Sequence, residues 1–321
     1  MCMNLNVRFP RIKIWSALIT AVIIFFVFTI FVNSSDPEVS VDPASSKAFV
    51  GNNYRIQALP MPLELSFAGE RVPLERTYVS ESYDRELLVN TYWQSQTLLL
   101  LKRANRYFPI IERILEEQGV PDDFKYLPLI ESGFVERIVS PAGAAGLWQF
   151  LSSTAKEYGL EVNNEVDERY HIEKSTVAAC LFLKKSYERF GSWTMAAASY
   201  NAGVRGINRQ IEKQKVDSYY DLLLNEETSR YVFRILALKS IFSAPEDYGF
   251  YLNEEDLYPV IPTYDVVVSG AIADFADFAS GYGVTYREFK DLNPWLRENH
   301  LTNSSGREYT FKIPEPDAFL K

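Results

Sequence analysis

At 321 residues the chain has room for two modest domains and an anchor. Its 47% hydrophobic, 23% charged and 14% aromatic content is that of a folding chain and excludes wholesale disorder. A net charge of −9 argues against a nucleic-acid partner, which needs a basic face to displace counterions from phosphates. Cys2 precedes an apolar run and Cys180 lies far beyond it, so the two would fall on opposite sides of a membrane and no disulfide is expected. His171 and His300 have no neighbouring Cys or His, so no metal site is expected.

Residues 1–13 form a basic N-terminus with Arg8, Arg11 and Lys13. The uncharged run 14–32 (IWSALITAVIIFFVFTIFV) nearly spans a ~30 Å hydrocarbon core as a helix. Basic residues before it and Asp36 and Glu38 after it favour an uncleaved transmembrane anchor with the rest of the chain exported. A cleaved signal segment is the alternative, but the run exceeds the usual ~7–15 residues and lacks a small-x-small site. Residues 33–59, opening in Ser, Asp, Pro, Asn and Gly, read as a tether.

Residues 60–120 begin with an extended lead-in and continue with helical periodicity through ESYDRELLVNTYWQSQTLLLLKRANRYFPIIERILEEQG, ended by Gly119 and Pro121. Residues 121–250 alternate helical patterns with short punctuation and read as an almost entirely α-helical domain. In it Cys180, on an apolar helical stripe, is a small core residue rather than a nucleophile. From 260 to 321 the order is strand, helix, helix, strand, a small α+β module with Val266–Val268 and Tyr309–Ile313 as an antiparallel pair.

The stretch IESGFVERIVSPAGAAGLWQF (130–150) combines an acid with an apolar setting and little side-chain bulk. Glu131 follows Leu127, Leu129 and Ile130 and precedes Ser132-Gly133, which places it at a helix C-terminus. Desolvation and the negative helix end would both hold its proton on. A carboxyl group neutral near pH 7 is what protonation of a glycosidic oxygen requires. Gly143 to Gly146 allow close backbone approach, and Trp148, Gln149 and Phe150 supply rings and an amide suited to a sugar. The same residues also build ordinary cores.

Four ordered motifs, ESGF, SPAGAAGLWQF, AAASYNAG and ETSRYV, resemble the soluble lytic transglycosylase (SLT) domain family in its membrane-bound murein transglycosylase D branch, Bacteroidetes-type. The resemblance implies a mainly α, lysozyme-like catalytic domain. It implies Glu131 as the catalytic residue and Ser140, Gln149, Tyr200, Asn201 and Tyr231 as substrate-binding or cleft residues, with Tyr231 directing its hydroxyl at Glu131. Departures are Leu151-Ser152 in place of Met-Pro and His171 in place of an Asp; His171 is read as structural, capping the helix that starts near Ile172. Residues 263–315 resemble a divergent LysM domain whose usual Gly-Asp-Thr start is replaced by Gly270-Ala271-Ile272, so the fold is implied more firmly than glycan binding.

The implied activity is non-hydrolytic cleavage of the MurNAc–GlcNAc bond of peptidoglycan strands, giving 1,6-anhydroMurNAc ends without a cofactor. Glu136 is the tempting second acid, but the family does not use that position. The implied location is the inner membrane, with the catalytic domain in the periplasm. A lysozyme-like hydrolase and a catalytically idle peptidoglycan-binding scaffold are the competing readings.

Overall fold

The computed structural model describes residues 56–319. The anchor expected at 14–32 and nearly all of the tether lie outside them, and no helix among the described residues is long and apolar enough to cross a membrane. Residues from Ala58 onward pack as one compact unit, mainly helical, with a small strand-containing module at its C-terminal end.

The extended lead-in turns at Gly69, as its sequence suggests, and closes a two-stranded hairpin, β1 (Ser66–Phe67) and β2 (Glu70–Arg71), across the tight turn Ala68-Gly69. Helices α1 (Thr77–Tyr92) and α2 (Gln94–Gln118) follow. α2 buries Leu100, Leu101, Ala104, Tyr107, Ile111, Ile114 and Leu115 on one face and ends where Gly119 turns left-handed at φ 67°. Its amide reaches back to the carbonyl of Glu116, and the Val120 amide to that of Leu115, which satisfies the last turn.

A two-turn helix α3 (Tyr126–Ser132) leads to an irregular stretch, 133–151, pinned by isolated bridges between Val139 and Ala145 and between Ala145 and Phe150. The sequence reading took the domain as almost entirely helical with only short punctuation, and this stretch is a longer break than that. Gly143 and Gly146, both at positive φ, and Pro141 instead favour a looped backbone here. The helical body is completed by α4 (Ser152–Glu157), α5 (Ile172–Phe190), α6 (Trp193–Ala202), α7 (Val204–Gln214) and α8 (Glu226–Ser243). Cys180 is fully buried on α5, and burial pushes its thiol up to about 12.

α6 is anchored from the hairpin. The Glu70 carboxylate accepts hydrogen bonds from the amides of Trp193 and Thr194 (2.5 and 2.9 Å) and from the hydroxyls of Ser192 and Thr194 (2.8 and 2.6 Å). An anion on the first turn of a helix satisfies its open N–H groups and complements its dipole.

The C-terminal module is strand, helix, helix, strand: β3 (Thr263–Val268), α9 (Phe275–Gly281), α10 (Tyr286–Leu292) and β4 (Tyr309–Pro314). β3 and β4 pair antiparallel from Thr263↔Pro314 to Val268↔Tyr309, a pairing longer by three residues at the start of β3 than the sequence suggests. The module is built onto the helical body. Its core of Phe275, Phe289, Trp295 and Phe311 is continuous with Ala145, Val166 and Tyr170. Around that contact Arg137 pairs with Asp291 (3.1 Å), Arg307 with Glu161 (2.6 Å) and Lys312 with Glu173 (2.9 Å).

His171 does stand before α5 but makes no side-chain cap. Its Nδ1 lies 3.2 Å from Glu173 Oε2 and its ring faces Trp295 at 5.4 Å, so packing against the C-terminal module replaces the expected cap.

Candidate active site

The site is built around the last turn of α3. The Ser132 hydroxyl donates to the Pro128 carbonyl (2.8 Å) and accepts the Phe134 amide (3.2 Å), while Gly133 turns left-handed at φ 58°. Arg103 of α2 donates to the Gly133 carbonyl at 2.9 Å. Glu131 is thereby held one residue inside the helix end, partly buried.

Burial pushes the Glu131 carboxyl up from 4.5 to about 7. Tyr231, on α8, donates its hydroxyl to Glu131 Oε1 and draws the value back down. The charge of Glu227 lifts it and that of Arg234 lowers it. The helix end favoured by sequence reasoning belongs to a helix of only seven residues, so burial carries more of the effect than the dipole. Near neutral pH the group is present in both protonation states, the condition under which one residue can give and take a proton.

Tyr231 is itself buried, and burial and the neighbouring Glu131 keep its hydroxyl protonated far above its ordinary range. It is a fixed donor. Tyr200, on α6, donates to the Trp148 carbonyl at 2.7 Å, with its ring against Phe150 and Phe182 at 5.7 and 5.1 Å. Its ionisation is opposed first by burial and then by the charge of Glu131. Asn201 bridges two motifs: its Nδ2 donates to Glu227 Oε1 (3.1 Å) and its Oδ1 accepts the Thr228 hydroxyl (2.7 Å).

The remaining predicted residues belong to the 133–151 stretch. Ser140 closes a small turn, its hydroxyl accepting the Ala144 amide at 3.0 Å. Gln149 sits at φ 49° and donates through Nε2 to the carbonyls of Gly146 (2.8 Å) and Ile138 (3.3 Å), so both side-chain bonds serve the loop. Trp148 is fully buried and donates Nε1 to the Thr176 hydroxyl (2.9 Å), which makes it core rather than a sugar platform. The structure thus gathers Tyr231, Tyr200 and the Asn201–Glu227 pair around Glu131, and assigns Ser140 and Gln149 contacts within their own loop.

Glu136, the tempting second acid, accepts the Tyr107 hydroxyl at 2.6 Å. It lines a cavity of 390 Å³ between α2 and the C-terminal module that Glu131 does not line.

Three residues escaped the sequence reading. Glu227 is the carboxylate whose charge reaches Glu131; its spacing of four from Tyr231 on one helix was the available signal. Arg169 donates to the carbonyls of Gly143 (2.8 Å) and Phe150 (3.1 Å) while forked onto Asp167 (2.9 and 2.7 Å), and so clamps both ends of the glycine loop. The Asp-x-Arg spacing was visible, but not what it grips. Glu86 is a buried carboxylate on α1 with nothing in its local sequence to mark it. Among the described residues no three His, Cys, Asp or Glu side chains are grouped to hold a metal ion.

Residues 108–222 match the Transglycosylase SLT domain family, and residues 264–317 match the soluble lytic transglycosylase C-terminal LysM-like domain. Over 261 residues the chain is 28% identical to membrane-bound lytic murein transglycosylase D of Escherichia coli (strain K12), covering 79% of this chain and 56% of that protein. Over 125 residues it is 32% identical to a putative tributyltin chloride resistance protein of Alteromonas sp. (strain M-1), covering 39% of this chain and 60% of that one. The chain therefore spans little more than half the length of these curated relatives. Among solved structures, the 70 kDa soluble lytic transglycosylase of Escherichia coli aligns with 20% identity and a TM-score of 0.37, over 44% of this chain and 24% of that one. Two consecutive matches thus agree with the order of the folded parts: the chain carries a transglycosylase SLT domain followed by a LysM-like domain of the soluble lytic transglycosylase type.

Proposed function

We propose that this chain is a peptidoglycan lytic transglycosylase in which Glu131 acts first as general acid and then as general base. The observation that carries the reading is the carboxyl of Glu131, pushed up to about 7 and held by the Tyr231 hydroxyl. The SLT-domain match around it and the name of the Escherichia coli relative supply the substrate class. In this reading Glu131 gives its proton to the oxygen linking MurNAc to GlcNAc, and the MurNAc 2-acetamido carbonyl stabilises the positive charge developing at C1. Glu131, now ionised, takes the proton from the MurNAc C6 hydroxyl, whose oxygen closes on C1. The product is a 1,6-anhydro end, no water is consumed, and the enzyme returns to its starting protonation state.

Tyr231 orients the carboxyl and steadies its ionised form. Tyr200, Asn201, Gln149 and Ser140 line the glycan path, partly through the backbone they hold in place. The domain reading accompanying this function is a lead-in over 60–120, a lytic domain over 121–250 and a LysM-like module over 260–321. Residues 14–32 would anchor the chain in the inner membrane, and 33–59 would tether the catalytic domain in the periplasm.

One observation favours a second reading. Glu227 is a second carboxylate whose charge reaches Glu131, and paired carboxylates are the usual equipment of a hydrolase. Its hydrogen bond to Asn201 and its exposed position make it a poor nucleophile candidate. The test is clearing of purified sacculi by wild-type and Glu131→Gln protein, with a parallel pelleting assay for binding. An enzyme of this kind loses cleavage and keeps binding; an idle scaffold clears nothing in either form.

A further inference from the structure

Helix α1 precedes the SLT-domain match and α8, the helix that carries Tyr231, follows it; the two pack along each other. At their contact Glu86 is 1% exposed, the carboxylate among the described residues most out of place for burial, together with Glu168, which Lys174 engages. Arg230 grips Glu86 side-on, with Nε to Oε1 at 2.7 Å and Nη2 to Oε2 at 3.3 Å. Arg85 adds a bond from Nε to Oε1 at 3.2 Å, and Arg234 Nε lies 3.9 Å from Oε2. Arg230 and Arg234 are one helical turn apart and bracket Tyr231 in sequence.

We propose that Glu86 is a positioning residue for the catalytic acid: by engaging Arg230 and Arg234 it fixes the rotation of α8 that delivers Tyr231 to Glu131, and it offsets the positive charge of Arg234 beside that carboxyl. The inference rests on the reading of Glu131 as the acid.

The surroundings are specific enough to give the direction. From α8, Tyr231 bonds Glu131 and the charges of Glu227 and Arg234 act on it, and from α6 the Tyr200 hydroxyl feels its charge. Arg103 of α2 engages the carbonyl two residues on. Around Glu86 stand Arg85 on its own helix and Arg230 and Arg234 opposite, while the Tyr219 hydroxyl binds the carbonyls of Thr228 and Ser229 in the first turn of α8. Arg230 also reaches Glu226 at 3.4 Å, so it keeps a partner if Glu86 is neutralised, whereas Arg234 has only Glu86 among these carboxylates within ion-pair distance. Removing the Glu86 charge therefore exposes Glu131 to an Arg234 field that was partly cancelled, and a cation nearby favours the ionised carboxylate.

The experiment is the pH dependence of kcat on muropeptide strands for the full chain and for Glu86→Gln, Arg234→Gln and the double variant. Gln keeps an acceptor for Arg230, so Glu86→Gln leaves the seating of α8 and Tyr231 in place and removes only the charge; it should move the alkaline limb down by roughly 0.5–1 pH unit, a three- to tenfold loss of rate above the limb, with little change below it. Arg234→Gln should move the limb up, and the double variant should restore it to the wild-type position or higher. If Glu86→Gln lowers the rate equally at every pH and Arg234→Gln does not rescue it, Glu86 is merely structural and the proposal fails. If Glu86→Gln does not fold, Arg234→Gln decides alone, and an unmoved limb overturns the proposal. Glu131→Gln run alongside separates the two levels: residual cleavage there removes the reading of Glu131, and this inference with it.

Discussion

Replacing Glu131 by Gln should abolish cleavage and, at the same time, stabilise the fold in a pH-dependent way. Below pH 4.5 the carboxyl is neutral in both the unfolded and the folded chain, and it contributes no difference. Between 4.5 and about 7 the unfolded chain releases the proton while the folded chain retains it, so the folded state loses ground steadily as pH rises. Above about 7 the folded protein carries a charge it has partly desolvated. At 2.3RT per pH unit this amounts to about 3 kcal/mol, and about 2–3 kcal/mol once the partial exposure of the side chain is allowed for. Glutamine cannot ionise, so Glu131→Gln escapes that loss while still accepting the Tyr231 hydroxyl. For a folded body of this size the gain corresponds to roughly 5–10 °C in Tm at pH 8.5 and almost none at pH 4.5. Melting curves by circular dichroism at the two pH values read it directly, because every other titrating group is common to both proteins. Equal Tm shifts at both pH values, or a lower Tm for the variant at pH 8.5, would refute the account of Glu131 as a carboxyl held neutral by burial.

Tyr231→Phe removes the donor that draws the Glu131 value down, so the alkaline limb of kcat should rise in pH while kcat itself falls by about tenfold or more, as a pH–rate profile will show. Gly146→Ala would place a methyl 1.9 Å from the Arg169 carbonyl oxygen at φ 76°; a loss of about 3 kcal/mol or more is expected in urea unfolding. Arg169→Ala takes the guanidinium away from the Asp167 carboxylate and from the carbonyls of Gly143 and Phe150, of which Phe150 keeps the Ala145 amide, and should cost about 3 kcal/mol in the same assay, with a larger loss of kcat than of sacculus binding.

Much of this was legible in the order of residues along the chain. The run Leu127 to Ile130 followed by Ser132-Gly133 announces a helix that ends beside Glu131, and that is where α3 stops. Alternation in the last sixty residues announces strand, helix, helix, strand, because the side-chain period changes with the backbone. What stayed hidden depends on groups far apart in sequence. Glu70 caps α6 across more than 120 residues, Glu86 engages Arg230 across 144, and Gly146 is required by a carbonyl at Arg169. Such pairings are set by how helices pack, and no local pattern encodes them. Trp148 illustrates the complementary problem: an indole beside glycines suits a sugar face and a core equally, and only its bond to Thr176 on α5 decides for the core.

Glu131 is proposed to cleave peptidoglycan without adding water. The direct measurement is mass spectrometry of the fragments released from purified sacculi digested in ¹⁸O-labelled water, with Glu131→Gln run in parallel. The wild type is expected to release unlabelled 1,6-anhydroMurNAc ends and the variant no fragments. Reducing MurNAc ends carrying the label, or continued release by the variant, would contradict it.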